Sequence, residues 1–129
     1  MAALSGGSPV TDDRRSALAE LQEKLQYPFQ DLALLDQALT HRSFVHENLS
    51  AEWKNNERLE FLGDAVLGLC ISDLLVRSHE DFTEGQLSKL RASLVNERSL
   101  STVARMIGLG DYLRLGRGEE ISGGRTKAS

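Results

Sequence analysis

At 129 residues the chain is long enough for one domain with a real core and too short to expect two. Hydrophobic residues make up 40% of it and aromatics only 5%, so the core is expected to be aliphatic, and the prominence of Leu, Ala, Glu and Arg favours an all-α fold. Fifteen Lys and Arg against nineteen Asp and Glu give a formal charge of -4 at pH 7, so no global basic excess advertises a nucleic-acid partner. Charge is nevertheless uneven. From Arg105 onward, Arg105, Arg114, Arg117, Arg125 and Lys127 outnumber Asp111, Glu119 and Glu120, which predicts a locally basic end beside an acidic centre.

The opening "MAALSGGSPV" is small and rich in Gly and Ser, and is expected to be frayed as part of a flexible segment over residues 1–14, ahead of a domain over 15–129. Thr11, Asp12 and Asp13 supply an N-cap and first-turn acids for a helix whose Leu18, Leu21 and Leu25 share a face. Tyr27-Pro28 ends it, because the residue before a proline is pushed out of helical geometry. Asp31 caps a second helix with Leu34, Leu35, Ala38 and Leu39 as its buried stripe. A third, from about Asn55 to Ser78, is the longest and is expected to be central. Its Leu59, Leu62, Val66, Leu69 and Leu74 recur near the helical period, and Ala65, Cys70 and Ile71 widen the stripe until the helix is nearly buried.

Thr83 with Gln86 fits a capping box for a fourth helix carrying Leu87, Leu90 and Leu94. Asn96 caps a fifth, with Leu100, Val103, Ala104 and Ile107 inward, and Gly108 or Gly110 ends it in the left-handed conformation. The remaining "LRLGRGEEISGGRTKAS" reads as loop, and no alternation longer than "DYLRL" suggests a strand. Cys70, the single cysteine, excludes an internal disulfide framework and reads as a core thiol in a reducing cytosol. No apolar run approaches the ~20 residues of a membrane span and no signal-peptide pattern opens the chain, so a cytoplasmic protein is expected.

The stretch "NNERLEFLGD", residues 55–64, interrupts this pattern. At about 100° per residue Glu57, Glu60 and Asp64 share a sector roughly 60° wide, where like charges cost an isolated helix a few tenths of a kcal/mol per pair. A solvated acidic face, or acids matched to the helix dipole, suffices for Glu57. It suits Asp64 less well. Asp64 follows Gly63 deep in an apolar helix, and a glycine there costs ~1 kcal/mol relative to alanine, which points to the close approach of another backbone at Gly63. Clustered carboxylates also suit a hard cation such as Mg²⁺ or Mn²⁺, which can lower the pKa of a bound water and offset charge on a phosphoryl group. Spacing alone leaves metal site and solvated face close to even.

The letters decide more than the spacing. "NNERLEFLGDAVLGLCISDLLV" closely resembles the signature of the ribonuclease III family, and "NERLEFLGDA" is hard to meet by chance. "LLDQALTHRSF" before it, "EGQLSKLRASLV" after it and "LGDYLRLGRGEEISGG" further on extend the resemblance over roughly Ser16 to Ser129. It implies an all-α ribonuclease III endonuclease-like helical domain that cuts double-stranded RNA with Mg²⁺, for which Mn²⁺ can substitute, and that works as a homodimer. It further implies hydrolysis to 5'-phosphate and 3'-hydroxyl ends in the processing of rRNA and mRNA precursors. Glu60 and Asp64 match the family's metal-binding and catalytic acids, and Phe61 matches the aromatic that inserts into the partner subunit. Glu57 and Glu84 match acidic positions near the cleavage centre with less defined roles; for Glu84 a first-turn dipole partner serves equally well.

His41 in "THRSF" reads as a structural hydrogen-bonding residue, Arg91 as a partner for the acidic helix or a solvated arginine, and Trp53 as packing at an edge. Ribonuclease III domains complete their acidic cluster with a D-x-x-E pair on a helix after the glycine-rich loop. The sequence reaches "GGRTKAS" without it, and shows no double-stranded RNA-binding domain. The expectation is therefore a catalytic domain incomplete at its C-terminal end, weak or inactive if Ser129 is the true end. The alternative is a catalytically incomplete dimerisation or RNA-binding module.

Overall fold

Side-chain caps set most of the helix starts. In the computed structural model, which describes residues 10–49 and 53–126, α1 (Asp12–Leu25) begins where the Thr11 hydroxyl accepts from the Arg14 amide at 3.2 Å. It ends where Gln26 turns left-handed at φ 54°, just before the expected Tyr27-Pro28 stop. The Asp31 carboxylate accepts from the Leu34 amide and opens α2 (Leu32–Ala38). Residues 1–9 of the expected flexible segment lie outside the described residues, and α1 already begins at Asp12.

A short helix that the apolar period does not announce follows as α3 (Arg42–Glu47), capped by the His41 ring. The long helix is α4 (Glu57–Ser78). Thr83 and Gln86 make both halves of the expected capping box on α5 (Glu84–Leu94), and Asn96 caps α6 (Glu97–Met106). Gly108 then takes the left-handed conformation at φ 66° and a 3-10 turn, Leu109–Tyr112, follows. The expected loop beyond it is not all loop. It folds into α7 (Arg117–Ile121), because the backbone N–H groups of Gly116 and Arg117 are received by Ser43 at 2.9 Å and Glu47 at 2.7 Å on α3. A side chain at Gly116 would meet Ser43 and Glu47 at 2.8 Å, so only glycine permits that approach. Among the described residues no strand forms, and one parallel bridge joins Thr40 to Arg114.

The apolar core lies between α1, α2 and the 3-10 turn: Leu18, Leu21, Leu35, Leu39 and Tyr112 are buried together. Leu25 and Leu34, expected on the same stripes, sit at its edge and are partly exposed. One carboxylate is buried beside the core. Asp36, 5% exposed, accepts from Arg14 Nε at 2.7 Å and from Arg114 Nε at 3.1 Å. Arg114 also lies over the rings of Trp53 at 4.7 Å and Phe44 at 5.4 Å, which themselves meet edge to face. Trp53 thus packs at an edge, as expected, with an arginine as its lid.

The long helix departs furthest from expectation. α4 was expected to be nearly buried, yet Leu75 is its one buried residue among those described. Phe61, Leu62, Val66, Leu69, Leu74 and Val76 are exposed, and so is Cys70, which is not the core thiol its apolar neighbourhood suggests. Apolar residues occupy nearly every side of α4, so it needs neighbours on every side, and α5 alone packs along it closely. On α6 the expected inward positions Leu100 and Val103 are likewise exposed, while Ser101 faces in. No described helix is long and apolar enough to cross a membrane.

Candidate metal-binding acidic cleft

The N-terminal end of α4 is pinned to the core by a short relay of hydrogen bonds. Thr40, itself fully buried, sends its hydroxyl to the Asp36 carbonyl at 2.7 Å and receives the Asn56 amide on its own carbonyl at 2.9 Å. The Asn56 side chain donates to the Ala38 carbonyl at 3.0 Å, and Gln37 donates to the Asn55 carbonyl at 3.2 Å. Asn55 then accepts the Glu57 amide at 3.1 Å. The bridge across Leu39 and His41 to Arg114 locks the same segment from the other side, at 2.8 and 3.0 Å. The first turn of α4 is therefore held by backbone groups on several sides, which fixes the direction of the side chains it carries.

Those side chains are the acids. Glu57, Glu60, Phe61 and Asp64 line an open cleft of about 450 Å³. The expected trio is thus brought to one face. Glu57 is answered by Arg42 at 3.7 Å, an exposed ion pair across from α3. Arg58, its neighbour in sequence, is not its partner; Arg42 reaches it because α3 turns back across the start of α4. Glu60 and Asp64 are different. Neither makes an ion pair or a side-chain hydrogen bond among the described residues, so two carboxylates one turn apart face solvent without a protein cation. Hard oxygen donors of this kind fit Mg²⁺, which takes one or two protein carboxylates and fills its remaining positions with water and phosphate oxygens. They do not make a closed cage: no group of three or more His, Cys, Asp or Glu among the described residues is arranged to hold a metal ion.

The other expected residues separate. Phe61 is 84% exposed at the rim of the cleft, which suits a side chain that inserts elsewhere and excludes an ordinary core phenylalanine in this chain. Glu84 does not join the acids. It opens α5 and accepts from Ser88 at 2.8 Å, in a second cavity of about 190 Å³ between α4 and α5. Arg91 does not pair with the acids either; its Nη1 donates to Ser72 on α4 at 2.9 Å. Gly63 has open space where a Cβ would stand, so the close backbone approach expected there is not made by the described residues. His41 is structural: its Nδ1 receives the Ser43 amide at 3.2 Å and meets the Ser43 hydroxyl at 2.7 Å. Arg42 and the Thr40–Asn56 anchor were not singled out from the sequence. Their signal, "THR" and "NN" on either side of a gap, carries no period.

The whole pattern can be set beside known proteins. A family model described as Ribonuclease-III-like matches residues 31–129. Ribonuclease 3 of Syntrophobacter fumaroxidans is 55% identical over 112 residues, covering 87% of this chain and 46% of that protein. Ribonuclease 3 of Streptomyces coelicolor is 53% identical over 118 residues, covering 92% of this chain and 42% of its own length. The chain thus spans a little under half the length of these relatives. Among solved structures, the nuclease domain of ribonuclease III from Campylobacter jejuni, described for structural flexibility in a region involved in dimer formation, superposes with a TM-score of 0.77. It is 45% identical and the match covers 86% of this chain and 73% of that one. With the family model spanning most of the sequence, and a nuclease domain of the same shape at 45% identity, the chain belongs to the ribonuclease III family.

Proposed function

We propose that this chain is the nuclease portion of an endoribonuclease that acts on double-stranded RNA, with Glu60 and Asp64 holding a divalent cation, Mg²⁺ or Mn²⁺. The observation that carries the reading is the pair of carboxylates at the head of α4, one turn apart, anchored through Asn56 and without a cation partner among the described residues. When bound, the ion supplies an activated water and charge relief at the phosphoryl group. Glu60 and Asp64 would hold the ion, and the water it would supply is the nucleophile toward the scissile phosphorus. Displacement of the 3' oxygen then leaves 5'-phosphate and 3'-hydroxyl ends. Arg42 pairs with Glu57 in an exposed contact, which leaves Glu60 and Asp64 as the two cleft carboxylates without an ion pair among the described residues. Glu57 stands as an accessory acid, and Glu84, in the cavity beside Ser88, as a residue outside the metal shell.

The same cleft supports a homodimer, with Phe61 of each copy seated on the other. RNA processing in the cytoplasm, on rRNA and mRNA precursors, is the setting this activity fits. A second reading is favoured by one observation: no group of three or more His, Cys, Asp or Glu among the described residues is arranged to hold a metal ion. On that reading the chain is a dimerisation or RNA-binding module that cuts poorly. A duplex-RNA cleavage assay with Mg²⁺ separates the two, comparing this chain with a longer form that adds the D-x-x-E helix. We expect weak or no cutting by the 129-residue chain, Mg²⁺-dependent cutting by the longer form, and loss of the latter in Glu60→Ala and Asp64→Ala. Normal cutting by a longer form lacking Asp64 would overturn the site assignment, and brisk cutting by the short chain would overturn the module reading.

A further inference from the structure

The cavity between α4 and α5 carries chemistry that the acidic cleft does not use. It is lined by Ser72, Leu75 and Val76 from α4 and by Glu84, Leu87, Ser88 and Arg91 from α5. Arg91 is exposed, and among the described residues no carboxylate lies within ion-pair distance of it. The carboxylate sharing its cavity, Glu84, is seven residues away, about two turns of α5, and accepts from the Ser88 hydroxyl.

Ser72 fixes the guanidinium in one orientation. Its hydroxyl proton goes to the Gly68 carbonyl at 2.7 Å, so its oxygen is left to accept from Arg91 Nη1 at 2.9 Å. One of five guanidinium N–H donors is thereby committed, and among the described residues no other side-chain or carbonyl acceptor holds the rest. The position matters as much as the chemistry. α5 packs over Ser72, Leu75 and Val76, and at about 100° per residue Ser72 stands roughly 80° round α4 from Asp64, beside the acidic face. Ser72 is eight residues beyond Asp64, which sets it about 12 Å further along the helix axis.

We propose that Arg91, oriented by Ser72, is a phosphate-binding residue that holds the RNA backbone at a point distinct from the phosphate at Glu60 and Asp64; this rests on the duplex-RNA reading above. A guanidinium with most of its fork free, beside hydroxyls and without an ion-pair partner among the described residues, matches a phosphodiester. The neighbouring acids repel the same backbone wherever no metal covers them. A cation about two turns further along α4 and beside the acidic face offsets that repulsion and sets the register of the strand over the acidic pair. Arg91 is therefore a positioning residue for the proposed reaction.

The test is the salt dependence of duplex-RNA binding by the whole chain, measured for the native protein and for Arg91→Gln, Arg91→Lys and Ser72→Ala. Each variant is first checked by circular dichroism and thermal unfolding. We expect Arg91→Gln to bind several-fold more weakly on every duplex sequence and to lower the salt slope by about one. Arg91→Lys should keep the slope, and Ser72→Ala should fall between. An unchanged slope in Arg91→Gln, with binding intact, overturns the proposal while leaving the RNA reading in place. If the native chain binds no duplex, the RNA reading itself fails. Inorganic phosphate titrated against the Arg91 Nε–H resonance then decides the subsite alone: a saturable shift supports it, and none overturns it.

Discussion

Asp36 is the residue on which most of the fold converges. It sits in "LALLDQAL", where an apolar stripe should continue, and it is buried with two guanidinium groups on one oxygen. A buried carboxylate is tolerable only when paired, and removing one partner strands the rest. Asp36→Ala leaves Arg14 and Arg114 facing each other near the core, both mostly buried. We expect it to cost about 3 kcal/mol, read as a lowered urea midpoint with an unchanged m value. Because Arg114 also closes the bridge that holds Thr40, and Thr40 receives Asn56, the same variant should loosen the first turn of α4. Amide exchange at Glu57 and Glu60 should speed up more than at Leu87 on α5. Equal acceleration everywhere would mean that the relay does not reach the acids.

Elements were legible where a local rule decides them. Thr11, Asp31, Thr83 and Asn96 all cap the helices their positions announce, because a cap needs only a side-chain oxygen three residues from a free amide. Thr83→Ala should therefore cost about 1 kcal/mol, measurable by thermal unfolding, and should fray α5 from its first turn without touching α1. The acidic face of α4 was legible for the same reason, since the helical period alone sets Glu57, Glu60 and Asp64 on it. What failed were inferences about α4 and α7, where a distant neighbour decides. α7 forms because Ser43 and Glu47 receive its first amides across some seventy residues of chain, which no local period encodes. Cys70 and Leu69 were read as buried because apolar residues usually are. The helix they belong to has apolar side chains on nearly all sides and one close partner. That Arg42 meets Glu57, because α3 folds back, is again a tertiary fact.

At the scale of the whole molecule, the exposed α4 surface asks for a partner, and Gly63 offers a way to find out how close that partner comes. Phe61 at 84% and Leu69 at 70% exposure, with Leu62 and Val66 between them, make an apolar surface of the kind that soluble monomers seldom leave open. If a second copy covers it, Phe61→Ala should shift sedimentation at micromolar concentrations toward monomer while leaving the core around Leu18 and Tyr112 folded. Gly63 discriminates further. Among the described residues of one chain nothing stands near its Cβ position, so Gly63→Ala should stabilise the isolated helix by ~1 kcal/mol and raise the unfolding temperature of a dilute sample. Where a partner backbone closes on α4, the added methyl would obstruct it, and association should weaken by tenfold or more. A more stable monomer that associates less well is the expected outcome. Stability and association rising together would show that the partner, if there is one, keeps its backbone away from Gly63, and would leave the glycine in this acidic helix without a packing reason.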